Sequence, residues 1–339
     1  MSRRAVLLVA AASMPVLGCS ASLRRGVTTT EAATPMEQVT RSSNNELDPA
    51  VSPDGKTIAF EVAASRDAPP HVEGMALKDI GAEKPALIAY GPKDAVGREP
   101  TWMPDGSSLV YLSGSGGSYR LVQTFGPSPQ QITFLADAGN PSLPGMWPAM
   151  TPDGKRMAMS VPRLDLFRTG WRRDLFFDAA LGVSDLFGSG ITVLGAGTSP
   201  AWSPHGRRLA FARKSRHGRA HLFVARADGS GAVQITDGPQ DDVEPAWSPD
   251  GTALAFCSGE VADDGTTHSN IFVVEADGSG LKQLTEGDRS ACRPDWASDG
   301  FIYFHADATD RFHIWRVRLR GTPAGAEHPV IIQTFLPSG

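Results

Sequence analysis

Glu244-Pro245-Ala246-Trp247-Ser248-Pro249-Asp250-Gly251 is the clearest of six copies of one phrase in this chain. The others begin at Asp48-Pro49, Glu99-Pro100, Trp147-Pro148, Ser199-Pro200 and Arg293-Pro294. Four of them also end in Pro-x-Gly, and the last ends in Ser298-Asp299-Gly300. The leading prolines are spaced by roughly 45 to 52 residues, the register of propeller blades and not of helical solenoids. Each phrase reads as a short strand entered through proline, followed by a turn. Proline fixes φ in that turn and glycine accepts a positive φ.

Around the fifth phrase the rest of a blade is legible. Leu254 to Ser258 alternates large and small residues as a second strand, and Asn270 to Glu275 is a β-branched and aromatic third strand. Asp277-Gly278-Ser279-Gly280 makes a hairpin, and Leu281 to Thr285 makes an outer strand. The fourth repeat matches it with His221 to Ala225, Asp228-Gly229-Ser230-Gly231 and Val233 to Thr236. The expected fold is therefore all-β, a six-bladed β-propeller of four-stranded antiparallel blades. Trp-Ser-Pro-Asp-Gly, the Leu-Ala-Phe strand, the Asp-Gly-Ser-Gly hairpin and the Gln-Leu-Thr ending together resemble the TolB-type, WD-like β-propeller repeat over residues 36–335.

Two features of the ring stay open in the sequence. Glu37-Gln38-Val39-Thr40 looks like an isolated fourth strand that completes blade six, but Val330 to Phe335 competes for that place. Cys257 and Cys292 are expected toward one face, as a disulfide or as two buried thiols. Repeat three carries an insertion from Val161 to Gly190 that contains Trp171-Arg172-Arg173, read as a longer hairpin.

The amino terminus has its own logic. Arg3-Arg4, an apolar run from Ala5 to Leu17 and Val16-Leu17-Gly18-Cys19 resemble a bacterial lipoprotein signal. The run has 13 residues, too short for a bilayer core, which takes about 20. Residues 1–18 are expected to be a signal peptide, Cys19 the lipidation site, 19–35 a tether and 36–339 the propeller. The expected location is the bacterial periplasm or cell surface, lipid-anchored, with Ser20 fitting outer-membrane sorting.

Chemistry is sparse. With 339 residues and a net charge of −5, and with aromatics at repeat positions away from any basic cluster, nucleic acid is not an expected partner. There is no Gly-x-Ser-x-Gly elbow of a serine hydrolase. His205, His217 and His221 lack metal-site spacing and read as solvated loop and strand-end residues, as do His305 and His313; no metal or cofactor is expected. Gly114-Ser115-Gly116-Gly117 joins two strands without a following helix, which argues against a phosphate loop.

One constellation stands out. The residue before each leading proline, namely Asp48, Glu99, Trp147, Ser199, Glu244 and Arg293, is expected near the mouth of the central channel. Asp241, Asp242 and Asp288 in the entering loops add to an acidic rim that Arg98 and Arg293 relieve. The preferred function is non-enzymatic binding of an envelope protein or cell-envelope component by a monomeric ring. The resemblance implies a partner like the peptidoglycan-associated lipoprotein of the Tol-Pal system, although TolB itself has a further N-terminal domain. The alternative is a carbohydrate-active lyase or glycoside hydrolase drawing two carboxylates from Glu99, Glu244, Asp241 and Asp48.

Overall fold

A computed structural model describes residues 33–63, 72–82, 96–115, 118–125, 132–134, 146–161, 179–186, 190–215, 218–261, 267–287, 290–307 and 311–320. Six antiparallel sheets follow one another in sequence, one per repeat, and make the six blades of a propeller. Blade five runs outward through Asp241–Trp247, Ala253–Val261, Thr267–Glu275 and Lys282–Gln283. Blades two, three and four have the same four-stranded order, and three strands of blade one are described.

Blade six is closed from the other end of the chain. Its strands Ala291–Trp296, Ile302–Ala306 and His313–Val317 are joined by Glu37–Gln38, which pairs antiparallel with the last of them. Side chains show that this is the true fourth-strand position. In blades four and five the threonine ending the outer segment accepts from a third-strand N–H, Leu222 to Thr236 Oγ1 at 3.0 Å and Ile271 to Thr285 Oγ1 at 2.9 Å. Thr40 does this for Ile314 at 2.9 Å. The competing segment at 330–335 lies outside the described residues. Pairing already begins at Ala33, bridged to Leu319, within the stretch read as tether.

The core is six slabs, one per seam, because a blade can bury its faces only against its neighbours. Between blades four and five, Ala210, Leu222 and Val224 meet Trp247, Leu254 and Phe256. Between blades six and one, Tyr303 and Ile314 meet Ile58 and Phe60. The repeated tryptophans also tie seams by hydrogen bonds, Trp102 Nε1 to Ala50 O and Trp247 Nε1 to Ala201 O, both at 3.0 Å.

The Pro-Asp-Gly turns work as construction parts twice over. Locally, Asp250 Oδ1 accepts from the Ser248 hydroxyl at 2.6 Å and from Thr252 N at 3.0 Å, while Gly251 takes φ +71°. Across the seam, a Cβ on Gly251 would stand 3.3 Å from Cδ of Pro204, the turn proline of the preceding blade. Gly251→Val is therefore expected to cost about 1–3 kcal/mol, from backbone strain and crowding together. Thermal denaturation checks this, and an unchanged Tm would contradict the turn geometry.

A covalent tie joins blades five and six. Cys257, on the second strand of blade five, forms a disulfide with Cys292, on the first strand of blade six, with Cα atoms 5.0 Å apart. The sequence left this pairing open. Among the described residues no helix is long and apolar enough to cross a membrane. Cys19, Trp171-Arg172-Arg173, His217, Gly116-Gly117 and Asp288 lie outside the described residues.

Candidate functional site

Each innermost strand carries the same irregularity at the same place. In blade five the register with the second strand slips between Val243 and Ala246, and in blade one between Leu47 and Ala50. The slipped residues are the x-Pro pair. Proline has no N–H to lose from the ladder, so a bulge there sacrifices little.

The residue before proline takes a left-handed backbone in all six blades. Its φ is 50° at Asp48, 52° at Glu99, 55° at Trp147, 50° at Ser199, 57° at Glu244 and 57° at Arg293. None of these is glycine, so each position stores on the order of 1–3 kcal/mol of strain that the surrounding ring must offset. Six such positions bring these residues together on one channel cavity of ≈ 430 Å³. That cavity extends along the inner strands to the turn prolines Pro53, Pro204 and Pro249. The six residues therefore stand in mid-strand inside the channel, and the cavity runs from them toward the Pro-Asp-Gly turns.

A bulge turns its N–H out of the sheet, and at Asp48, Trp147, Ser199 and Arg293 the preceding blade supplies the acceptor. Asp48 N donates to His305 Nδ1 at 3.1 Å, and Ser199 N donates to Ser160 Oγ at 3.0 Å. His305 and Ser160 occupy the same second-strand position, opposite the residue that precedes the ring member in their own blade, as Glu61 does in blade one. Leu112 and Cys257 hold that position in blades two and five. In those two blades the ring residue itself is glutamate and reaches forward: Glu99 Oε2 accepts from Trp147 N and Glu244 Oε2 from Arg293 N. Sequence reasoning passed over Glu61 and Ser160 and read His305 as solvated; the signal was one polar residue in a largely apolar strand.

Arg293 is the hub of the ring. Its Nε lies 3.0 Å from Glu244 Oε1 and 3.3 Å from Asp48 Oδ1, and its Nη2 lies 3.7 Å from Glu99 Oε1. Its guanidinium carbon also sits 5.2 Å from the centroid of the Trp147 ring. Arg98, the other cation of the expected rim, faces Glu61 at 3.7 Å. Burial works against the Arg293 charge, and Asp48, Glu244, Glu99 and Glu61 outweigh it.

The carboxylates divide by environment. Burial pushes Glu99 up to about 7 against the pull of Arg293, and burial followed by the Asp48 charge pushes Glu61 up to about 8. Burial lowers His305 to about 4, so its imidazole is neutral near pH 7. That agrees with its Nδ1 accepting the Asp48 N–H, and the 3.6 Å approach to the Asp48 carboxylate is not an ion pair at that pH.

A carboxyl whose pKa is raised in the folded state binds its proton more tightly there. Its stabilising contribution is present below the unfolded value and is lost as pH rises through the folded one. For Glu99, moving from 4.5 to about 7 corresponds to roughly 3 kcal/mol. The turn aspartates act in the opposite sense at lower pH, since Asp54 and Asp153 are held below the usual value first by the hydroxyls of Ser52 and Thr151. Stability is expected to fall between pH 5 and 8, with Glu99→Gln flattening that decline. Tm measured across this range decides it, and a slope unchanged in the variant would overturn the assignment.

Asp241 and Asp242 stand apart from the channel cavity. Asp241 Oδ1 accepts from Ala220 N at 2.8 Å, and fully buried Asp242 meets His221 Nδ1 at 3.3 Å. The seam between blades six and one repeats the arrangement, with Asn45 Oδ1 accepting from Phe312 N and Glu46 meeting His313 Nδ1 at 2.8 Å. His221, His305 and His313 are thus buried or nearly buried blade-to-blade partners, which corrects their reading as solvated residues. The physical reason is that each has an acid or a bulge N–H waiting on the next blade.

The donor sets are correspondingly limited. Among the described residues, the one group close enough to share a metal ion is Glu244, Cys257 and Cys292, and the two sulfurs are bonded to each other.

Comparison with known proteins agrees with this architecture. A family profile described as TolB beta propeller domain matches residues 190–326. An uncharacterized protein of Agrobacterium fabrum is 26% identical over 184 residues, 42% of this chain and 59% of the relative. The match thus spans about three fifths of that curated relative's length. Among solved structures, the putative TolB from Agrobacterium tumefaciens superposes with a TM-score of 0.59 at 19% identity, covering 85% of this chain and 97% of that one. An oligogalacturonate lyase in complex with manganese gives 0.55 at 14% identity, covering 84% and 93%. TolB from Acinetobacter baumannii gives 0.55 at 16%, covering 80% and 65%. At these identities the superpositions speak for the fold, and with the repeated phrase and the profile match over residues 190–326 they lead to one conclusion: this chain is a six-bladed β-propeller similar to TolB.

Proposed function

We propose that this protein is a non-enzymatic, lipid-anchored propeller of the bacterial envelope that binds a protein or cell-envelope partner through a loop face of the ring. One observation carries the reading. The carboxylates that a channel enzyme would need are already committed, Asp48, Glu99 and Glu244 to Arg293, with Glu99 and Glu244 also capping the next blade's backbone. Asp241, the fourth candidate, caps Ala220. What remains is a recess walled by prolines and tryptophans at the turn end of the channel, suited to receiving a protruding segment of a partner. The likeness to TolB supports an envelope partner resembling a peptidoglycan-associated lipoprotein, and an outer-membrane location follows from Ser20 if Cys19 is lipidated.

The enzymatic alternative has one observation in its favour. A carboxyl raised to about 7 beside ionised neighbours in a cleft is a feature of acid catalysts. Here burial accounts for the shift, and both Glu99 oxygens are engaged by Trp147 N and Arg293.

The test is photo-crosslinking in the native envelope, with a photoreactive residue at Pro204 on the recess and a control at Thr192 on the outer strand of blade three. The expected result is one envelope protein captured from Pro204 only. Equal capture from Thr192, or none from Pro204, would overturn the binding face. Cys19→Ala is expected to move the protein from the membrane fraction to the soluble fraction, and unchanged fractionation would remove the lipid anchor.

A further inference from the structure

Blade four carries a second cavity, of ≈ 540 Å³, that shares no lining residue with the channel. It lies over the second, third and fourth strands of the blade, where Arg213, Ser215, His221, Phe223, Gln234 and Asp237 contribute to the lining. Strand register explains the grouping. Arg213 is paired with His221, Phe211 with Phe223, and Phe223 with Gln234, so their side chains leave the sheet on one face.

On that face Phe211 and Phe223 stack at 5.9 Å with 16° between planes. The Arg213 guanidinium carbon sits 3.8 Å from the Phe223 ring centroid and 5.7 Å from that of Phe211. Cation–π contact holds the group in place but uses only its face. A guanidinium has five N–H donors around its edge. Among the described residues, those of Arg213 meet no hydrogen-bond acceptor and no carboxylate. Asp237, although on the same lining, is beyond ion-pair reach.

Arg208 provides the contrast. It stacks on Trp247 at 4.6 Å, yet its Nη2 donates to the Gly251 carbonyl. Arg213 has the aromatic shelf without the acceptor. Burial alone acts on its charge and opposes it. A partly buried cation held flat, with its donor edge free in a polar cavity, is a recognition element for a planar or tetrahedral anion. Lys214 adds a second positive charge to the lining, and Ser215 and Gln234 add neutral polar groups. The volume suits a ligand the size of a small sugar derivative.

We propose that this cavity binds an oxyanion, a carboxylate or phosphate group carried on a small polar molecule, with Arg213 as its bidentate partner. The site is separate from the channel and stands or falls independently of the partner-binding reading. The bland competitor is an arginine that merely covers the Phe223 ring.

Calorimetric titration and thermal shift of the full chain distinguish them, with glucuronate and glucose 1-phosphate as probes and sodium chloride at matched ionic strength as control. The expected result is saturable binding of at least one probe and a probe-dependent rise in Tm. Binding of glucuronate alone identifies a carboxylate site, and binding of the phosphate ester alone a phosphate site. Arg213→Met is expected to weaken binding by about tenfold or more. Arg213→Lys, which keeps the charge but not the fork, should also weaken it and is the variant to read if the first does not fold. Saturable binding of neither probe, a shift matched by sodium chloride, or affinity undiminished in the foldable variant would overturn the proposal.

Discussion

Arg293→Met is expected to lower stability by about 3–5 kcal/mol near pH 7.5, the range seen when one partner of a buried charge cluster is removed. The side chain is 21% exposed and faces Asp48, Glu99 and Glu244, which are 15%, 8% and 18% exposed. Methionine fills much of the volume but leaves three carboxylates converging on an apolar group. The loss should shrink at pH 5.5, where Glu99 and Glu61 hold their protons and less negative charge needs a counterpart. Adding Glu99→Gln and Glu244→Gln should restore part of the stability at pH 7.5, because the unpaired charges are then gone. A chemical denaturation series at the two pH values reads all of this. Equal losses at both would mean that water, and not Arg293, compensates the ring.

Breaking the Cys257–Cys292 bond is the second large effect. The bond closes a loop across a sequence separation of 35, for which chain entropy corresponds to about 4 kcal/mol in the unfolded state. Its position adds a local consequence. Cys257 stands where Glu61, Ser160 and His305 stand in other blades, and Cys292 immediately precedes Arg293. Reduction should therefore lower Tm and also sensitise the protein to Arg293→Met, since backbone and side chain at the hub are fixed by separate means. Thiol alkylation before and after reductant, followed by melting, checks both parts. If Cys257 and Cys292 are alkylated without reductant, or if Tm is unmoved by reduction, the covalent tie across this seam is refuted.

The fold was legible because its instructions are local. Pro249-Asp250-Gly251 and Asp277-Gly278-Ser279-Gly280 each specify a turn within a few residues, and their recurrence counts the blades. Closure was legible only in part: the Gln and Thr of Glu37 to Thr40 match the outer-strand endings of blades four and five, but Val330 to Phe335 competed for the place and the partner Ile314 lies far along the chain. The ring was legible as a set of positions, since one offset from each proline must converge in a closed propeller.

Its internal chemistry was not legible. That Arg293 serves as hub depends on blades one, two, five and six meeting at the axis, which no periodicity reports. His221 and His313 open strands and so look solvated, while the acids that receive them, Asp242 and Glu46, lie 21 and 267 residues away. Glu61 and His305 sit in strands whose other residues are largely apolar, where a single polar residue reads as noise until its neighbour across the seam is known.

Closure of the ring by the amino-terminal segment has a mechanical meaning if that segment is also the anchor. Any pull between the protein and a membrane would enter the propeller at Ala33 to Thr40, on the outer edge of blade six. The grip there is confined to one outer segment: two paired residues and the Ala33–Leu319 bridge, the Thr34, Val39 and Thr40 backbone bonds, the Thr34, Thr40 and Arg320 side-chain bonds, and the Glu37–Arg316 ion pair at 2.7 Å. The seams at the axis, with their buried charges and disulfide, would feel the force only after this clasp had opened. The molecule would thus have a designated point of yielding, and tension on its tether would release one outer strand before it disturbed either face of the ring.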